Sequence, residues 1–269
     1  MYRIYLYKFL VDFLVIVPIL VPFYNSNGLG AAHLLTIQTA FSVSQMIFEI
    51  PSGYVSDVMG RRKTLILAAA CMMFGIGIYI LSNGFWLFIL AEVVLGIAGA
   101  LRSGTDSAFL YDYLKSIKDE HRYIKCEGTA EFWSKTGTAL SSIAGGLFGA
   151  YATLRLPFYV NLFSAFLMLV IGISLKEPPR EKKPEGNPLK NILAVSYQSV
   201  VNRSLFSTMV QMGLLFSTGV TAIWGYFIFY KQYNVPLIWH GLFFALMQLA
   251  SAFGAKHGNQ FEKLAGKQT

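Results

Sequence analysis

The chain has 269 residues and a formal net charge of +8, with 55% of its residues hydrophobic and 13% charged. A soluble domain usually has about 25% charged residues, so this composition excludes an ordinary soluble protein. Long apolar runs such as 65–81 and 156–175 each match the roughly 20 residues with which a helix crosses the hydrocarbon. These runs lack the period-two alternation of an outer-membrane strand. The sequence therefore predicts an all-α integral membrane protein.

Eight membrane-spanning helices are predicted in chain order, at 4–24, 32–51, 63–81, 85–114, 128–152, 156–175, 205–230 and 237–255. The first could be mistaken for a signal peptide. It carries Asp12 within its apolar stretch, however, and it lacks a small-x-small cleavage site. We therefore expect it to remain in the protein as the first span.

The basic residues are distributed unequally between the two sides of the predicted membrane. Most of the 22 Lys and Arg residues fall in segments on the side of the N-terminus, whereas the opposite loops carry only Arg155 and Lys231. Cytoplasmic loops are enriched in Lys and Arg, so this pattern predicts a cytoplasmic N-terminus. The positive charge then reflects topology and not binding to nucleic acid.

A charged segment divides the predicted helices into two groups. It predicts a six-helix N-terminal bundle at 1–175, a cytoplasmic linker at 176–203 and a partial second bundle of two helices at 204–269. The linker opens with Glu177-Pro178-Pro179, and a proline pair is not compatible with a continuing helix.

The loop between the second and third spans carries a recognisable motif. It has glycines at its two ends, an acid in the middle and bases after the second glycine: Gly53, Asp57, Gly60, Arg61 and Arg62. This spacing resembles the signature loop of the major facilitator superfamily, with Val58 standing where that family often has a base. A simple positive-inside anchor would explain the arginines but not Asp57 or the glycines.

The resemblance implies a fold and a role for this loop. Members of the family have twelve helices, so this chain would hold the N-terminal six-helix bundle and the first two helices of the second. We expect it to be truncated before the ninth helix, as a fragment that does not transport alone. The loop would latch the two halves on the cytoplasmic side. Asp57 would face a helix N-terminus, which favours an acid, and Arg61 would pair with Asp112.

The fourth predicted span contains three ionisable residues, Glu92, Arg102 and Asp106. A charge inside a span costs roughly 2.5–3.5 kcal/mol and is usually functional. At about 100° per residue the three share one helix face, and Arg102 and Asp106 are spaced to pair. Glu92 occupies a position where proton-coupled relatives have an arginine. As an acid near the midplane it could bind a proton or a cationic substrate, or it could be a hydrogen-bonded structural acid.

Other spans add further candidates. Asp12 in the first span is a second candidate for proton or substrate binding, and Glu49 reads as the inner cap of its helix. Glu131 and Lys135 are four residues apart in the fifth span and can satisfy each other.

The fifth span also contains a run of small residues at 137–146. It is similar to the antiporter motif of the superfamily, with Ser141-Ser142 in place of Gly-Pro. The alternative is ordinary helix packing through small residues.

Enzyme chemistry has little support in this sequence. The four histidines are scattered and no metal-ligand spacing is present, so we expect no catalytic residues, no metal and no cofactor.

The resemblance implies a monomeric secondary transporter in the inner or plasma membrane. It would move a small solute by alternating access, as proton-coupled efflux of an amphipathic or drug-like compound. Its partners would be that substrate, the proton and the lipid bilayer. Uptake of a sugar or amino acid is the alternative, and a receptor or scaffold without transport is an alternative of another class.

Overall fold

The computed structural model describes residues 1–179, 194, 197, 198 and 200–264, so most of the predicted linker at 176–203 lies outside the described residues. The described residues form helices and no strands, which confirms the all-α prediction. In chain order they are α1 (Tyr2–Val11), a 3-10 turn (Val17–Ile19), α2 (Leu20–Ser26), α3 (Ala31–Met59), α4 (Arg61–Leu81), α5 (Phe85–Arg102), α6 (Thr105–Ser116), a 3-10 turn (Glu120–Arg122), α7 (Tyr123–Tyr151), α8 (Leu156–Ser174), α9 (Arg203–Gln232) and α10 (Leu237–Leu264).

Within the described part of the chain, four helical segments are long and apolar enough to cross a membrane: Arg61–Leu81, Phe85–Ser116, Leu156–Ser174 and Leu237–Lys256. The first predicted span does not meet this criterion because it is divided into α1 and α2, with ten and seven residues. The fifth lies within α7, and the first half of that helix carries Lys125, Glu127, Glu131 and Lys135. Both spans are therefore interrupted by polar features.

The break in the first span is bridged by a side chain of α8. Asn161 is fully buried. Its Oδ1 accepts a hydrogen bond from the Ile16 N–H at 3.0 Å, and its Nδ2 donates to the Phe13 carbonyl at 2.7 Å. Backbone groups inside a membrane must find partners within the protein. The prediction of one continuous helix at 4–24 is therefore wrong, and Asn161 supplies the bonds that the helix lacks.

The fourth span is also broken, between α5 and α6. α5 ends at Arg102, and Gly104 adopts a left-handed conformation with φ of 69° before α6 begins at Thr105. Glycine has no Cβ to penalise this conformation. The single helix predicted at 85–114 is therefore two helices, and residues before and after Gly104 do not follow one helical wheel.

The helices form a bundle in which α5 packs against α3 and α4, α8 against α4, and α1 against α7 and α8. α10 packs along α7, joining the last two helices to the first group. This contact is close: a Cβ added to Gly241 would overlap the Ser142 carbonyl oxygen, and one added to Gly146 would lie 3.1 Å from the Leu237 carbonyl oxygen. Glycines at such contacts allow two helix backbones to approach each other.

The small-residue run of α7 serves two interfaces at once. A Cβ on Gly137 would lie 2.5 Å from the Phe9 carbonyl oxygen, and one on Gly145 would overlap that of Val15, so these glycines face the first span. Ser142 and Gly146 face α10 instead. The structure therefore gives this run a packing role on both of its faces.

Candidate functional site

A charged cluster lies between α1, α6 and α7 in the half of the bundle near the N-terminus. Lys8 is buried, with 3% of its surface exposed. Its Nζ lies 2.5 Å from Glu127 Oε1 and 3.8 Å from Asp106 Oδ2. Ser107 Oγ donates a second hydrogen bond to Glu127 Oε1 at 2.6 Å. The other carboxylate oxygen of Glu127, Oε2, is buried and receives no hydrogen bond from the described residues.

The cluster continues to the two helix breaks. Arg102 Nη1 lies 3.8 Å from Asp12 Oδ1 and 3.8 Å from Asp106 Oδ2. Ser134 of α7 donates a hydrogen bond to Asp12 Oδ2. Arg102 ends α5, and Asp106 stands in the first turn of α6. The partial charges at helix ends favour a cation at a C-terminus and an anion at an N-terminus, so the break itself stabilises this pair.

Along the helix axes, the Asp12–Arg102 contact lies far from the first residues of α1 and α5. Asp12 follows ten helical residues of α1, which places it about 15 Å from the end of that helix at 1.5 Å per residue. Arg102 is the last of 18 residues of α5, about 27 Å from its other end. The two broken spans therefore meet at the Asp12–Arg102 contact.

The cluster has more acid than base. Three carboxylates, Asp12, Asp106 and Glu127, share the two cations Lys8 and Arg102. With all groups ionised the cluster has one surplus negative charge. The side chains of Lys8 and Asp106 are almost inaccessible to solvent. Those of Arg102 and Asp12 remain 31% and 22% exposed. A cation or a proton could therefore reach Asp12 without disturbing the buried Lys8.

Glu131 and Lys135 lie beside this cluster, 3.3 Å apart. Their side chains are 41% and 30% exposed, so solvent screens their attraction more than that of the buried pairs. Glu49 is not the inner cap of its helix, because α3 continues to Met59. Its Oε1 accepts a hydrogen bond from Ser103 Oγ at 2.6 Å, next to the break in the fourth span.

Glu92 lies elsewhere. It is the eighth residue of α5, about 10 Å from the end remote from the N-terminus, and it is 4% exposed. Tyr79 donates a hydrogen bond to its Oε1 at 2.6 Å, Gln38 donates another at 3.2 Å, and Tyr24 bonds to the Tyr79 hydroxyl. The expectation that Glu92 acts with Arg102 and Asp106 on one face is not met, because their partners are different.

The signature loop forms a set of bonds at the other end of α3. Arg61 Nη1 lies 2.9 Å from Asp57 Oδ1, and Arg61 Nε lies 3.3 Å from Asp112 Oδ2 of α6. The structure thus brings Arg61 to the acid expected as its partner. Asp57 contacts this arginine of its own loop.

Glu177 joins the same loop. Its carboxylate accepts the backbone N–H groups of Arg61 at 2.8 Å and Arg62 at 2.9 Å, at the N-terminus of α4. Gly60 has φ of 109°, and a Cβ there would lie 2.7 Å from Glu177 Oε1. Gly60 is therefore required both by the turn and by the approach of this carboxylate. Gly53 has open space around it and no such constraint.

Several residues of these clusters were not singled out from the sequence. Lys8 was counted only as a basic residue near the N-terminus, although it lies four positions before Asp12 on the same helix face. Glu127, Glu131 and Ser134 follow each other at helical spacing on α7, which was the available signal for a polar stripe. Among the described residues, no group of three His, Cys, Asp or Glu side chains could hold a metal ion.

Known proteins share this chain's sequence pattern. The profile of the Major Facilitator Superfamily matches residues 9–267. The vacuolar membrane amino acid uptake transporter fnx2 of Schizosaccharomyces pombe is 30% identical over 51% of this chain and 24% of its own length. A Na⁺, Li⁺, K⁺/H⁺ antiporter of Planococcus maritimus is 28% identical over 54% of this chain and 33% of its own length.

The fold is shared as well. The human organic anion transporter MFSD10 superposes with a TM-score of 0.66 at 19% identity, covering 94% of this chain and 70% of that one. The chain spans less than two thirds of the length of the curated relatives first matched, between 24% and 64%. The profile match over nearly all residues, together with the shared all-helical fold, shows that the chain belongs to the Major Facilitator Superfamily of membrane transporters.

Proposed function

We propose that the protein is a secondary active transporter that exports an amphipathic or drug-like cation in exchange for protons. The observation that carries this proposal is the charged cluster where the two broken spans meet, with its surplus carboxylate. Discontinuous helices in transporters commonly mark the binding site for substrate and coupling ion. Arg102 lies between Asp12 and Asp106 at equal distances of 3.8 Å, an arrangement that can respond to charge on either acid.

The proposed exchange follows from charge balance. A cationic substrate next to Asp12 supplies the positive charge that the cluster lacks, and a proton on Asp12 supplies the same charge. The two therefore compete for one site, as antiport requires. When Asp12 is neutralised, its attraction for Arg102 is lost, and Arg102 can move toward Asp106. Glu131, at the exposed side of the cluster, would extend the acidic surface that the substrate meets.

A second group of residues would control access from the side of the N-terminus. Arg61 is held by Asp57 and Asp112, while Glu177 caps α4. We propose that these bonds stabilise one state of the alternating-access cycle and are rearranged in the other. Gly53, Gly60 and Arg62 would shape and anchor the loop, as Arg62 Nη2 donates to the Ile173 carbonyl at 2.6 Å.

The location and organisation of the protein are part of the proposal. We propose a monomer in the inner or plasma membrane, with a cytoplasmic N-terminus as the basic residues suggest. The six-helix bundle at 1–175, the linker at 176–203 and the second bundle from 204 would be its structural units. The antiporter of Planococcus maritimus supports exchange for protons.

The test is proton flux in proteoliposomes carrying the reconstituted transporter, challenged with a panel of lipophilic cations. We expect substrate-induced proton movement that Asp12→Asn abolishes. Asp119→Asn is a matched control, because Asp119 pairs with Arg122 near the protein surface, outside the cluster. Proton movement that persists in Asp12→Asn would contradict the role of this cluster.

Uptake is the second candidate, favoured by the similarity to fnx2, an amino acid uptake transporter. The same vesicles distinguish the two, because accumulation of an amino acid or sugar without exchange for lipophilic cations would establish uptake. A protein that binds solutes but moves none would instead be a receptor or scaffold.

A further inference from the structure

The hydrogen-bonded group around Glu92 is distinct from the charged cluster. Glu92 on α5 receives hydrogen bonds from Tyr79 on α4 and Gln38 on α3, and the Tyr79 hydroxyl bonds to that of Tyr24 on α2. Tyr24 and Tyr79 are fully buried. Among the described residues, Glu92 forms no ion pair, so the carboxylate has only neutral partners there. We call Tyr24, Tyr79, Gln38 and Glu92 the outer relay.

The surroundings of the outer relay are aromatic. Phe23, Phe88 and Phe158 are buried around the two tyrosines, with ring centroids between 4.5 and 6.4 Å apart. A carboxylate with no counter-charge is expensive in such a place, since burying an unpaired charge costs several kcal/mol. An apolar residue would pack there without that cost. The position of Glu92 therefore calls for a reason beyond stability.

The relay reaches toward the outside of the bundle. Tyr24 also lines a cavity of about 70 Å³, together with Asn25, Gly30 and Lys231. This volume has room for water, and Asn25 and Lys231 offer the polar partners that ordered water needs. The cavity lies at the loop between α2 and α3, on the side opposite the N-terminus. The cavity, the side chains of Tyr24 and Tyr79 and the Glu92 carboxylate thus lie one after another from this loop into the bundle.

We propose that the outer relay is a proton pathway that loads Glu92 from the outer solution. A proton from water in the cavity binds the Tyr24 oxygen as Tyr24 passes its own proton to Tyr79. In the same concerted shift, Tyr79 gives its own proton to Glu92 Oε1, so that neither tyrosine carries two protons. The water loses one proton and Glu92 gains one, while both tyrosines are neutral before and after. Gln38 holds the carboxylate in place and transfers nothing.

This inference adds a second proton site, Glu92 on α5, to the exchange proposed at Asp12, and in that sense it rests on the proposed function. Glu92 and Arg102 lie on the same helix, ten residues apart, or about 15 Å. Neutralising Glu92 changes the charge on α5 at one end of a rigid element whose other end carries Arg102. The loaded site would therefore lie on the outer side of the substrate cluster.

The experiment is infrared difference spectroscopy of the reconstituted chain in vesicles sorted for orientation, with the pH changed on one side at a time. We expect a protonated-carboxyl band that follows the outer pH and is absent in Glu92→Gln. Tyr24→Phe and Tyr79→Phe remove only a hydroxyl and should slow the response about tenfold or more. Tyr159→Phe is the matched control, since Tyr159 is 53% exposed on α8.

A second variant tests the cavity without touching the relay. Gly30→Phe should fill the cavity and slow the response, whereas Gly84→Phe should not, because both glycines have open space but only Gly30 lines the cavity. A band that follows the inner pH, or wild-type rates in both tyrosine variants, would overturn the proposal. The readout needs no substrate, so its failure is distinct from a failure of the flux assay.

Discussion

The two polar clusters of the bundle satisfy buried carboxylates in different ways. The cluster at the broken spans uses full charges: Lys8 and Arg102 are shared among three acids, and three of the pairs are 3.8 Å long. The outer relay uses neutral donors and aromatic packing around the single acid Glu92. Side chains that share several long ion pairs can change partners when another cation arrives. A single carboxylate at the end of a hydrogen-bonded pair of tyrosine hydroxyls, in contrast, is suited to binding a proton. In the proposed transporter, the charged cluster would exchange a substrate for a proton, and the outer relay would carry protons only.

The largest expected effect comes from the buried cation of the charged cluster. Lys8→Met removes the cation paired with Glu127 and one of the two paired with Asp106 at a buried position, which should lower the free energy of unfolding by about 3–5 kcal/mol. Thermal unfolding in detergent measures this. Lys135→Met is the control, because its half-exposed pair with Glu131 should contribute within about 1 kcal/mol. Equal effects would mean that burial does not distinguish the two lysines.

The break that positions Asp12 gives the next largest effect. Asn161→Leu removes the partners of the Ile16 N–H and the Phe13 carbonyl, and two unsatisfied backbone groups should cost about 2–4 kcal/mol. Ser164→Ala is a smaller change beside it, since Ser164 donates one 3.2 Å bond to the Leu10 carbonyl. Thermal unfolding of both variants should rank Asn161 above Ser164, and the reverse order would contradict the bridging role.

In the outer relay, losing a tyrosine hydroxyl should lower the free energy of unfolding more when that hydroxyl bonds to a charged acceptor than when it bonds to a neutral one. Tyr79→Phe removes a bond to a carboxylate as well as the bond to Tyr24 and should cost at least about 1.5–3 kcal/mol, whereas Tyr24→Phe removes only the bond between the hydroxyls and should cost about 0.5–1.5 kcal/mol. Thermal unfolding of the two variants measures the ranking. An equal cost would indicate that Glu92 is held by Gln38 alone.

The smallest effect is expected at the signature loop. Arg61 and Asp112 are about a fifth exposed, so Asp112→Asn should change the free energy of unfolding by no more than about 1 kcal/mol. A double-mutant cycle with Arg61→Gln isolates their interaction. Transport should change more than stability, because the bond is expected to be made and broken in the cycle. A cycle with no coupling would remove Asp112 from the latch.

The sequence predicted the features whose signals are local. The spacing of Gly53, Asp57, Gly60 and Arg61 indicated the family, and the apolar runs indicated the helices. Gly104 was a sequence signal for the break after Arg102. The break in the first span, at residues 12–16, has no glycine and only apolar residues after Asp12. That break depends on Asn161, which is far away in the chain. Pro18 was a local signal for the break, because a proline is not compatible with a helix that continues through residues 14–18. The bridging partner on α8 could not be read from the sequence.

The site was predicted in part, for the same reason. Pairing of residues on one helix can be read from spacing, as for Arg102 with Asp106 and Glu131 with Lys135. The partners of Lys8 and Glu92 come from other helices, so the sequence alone could not tell an ion pair from a tyrosine relay.

Asn161 has a mechanical consequence for transport. An interrupted helix often bends at the interruption. Here the Asn161 side chain forms hydrogen bonds to the backbone on both sides of the break and so connects both sides to α8. With its backbone groups bonded in this way, the break should move as a rigid unit with α8 and should not act as a hinge. The first span and α8 should then tilt together, carrying Asp12 with them, so that access changes by rocking of the whole bundle and not by folding of a single helix.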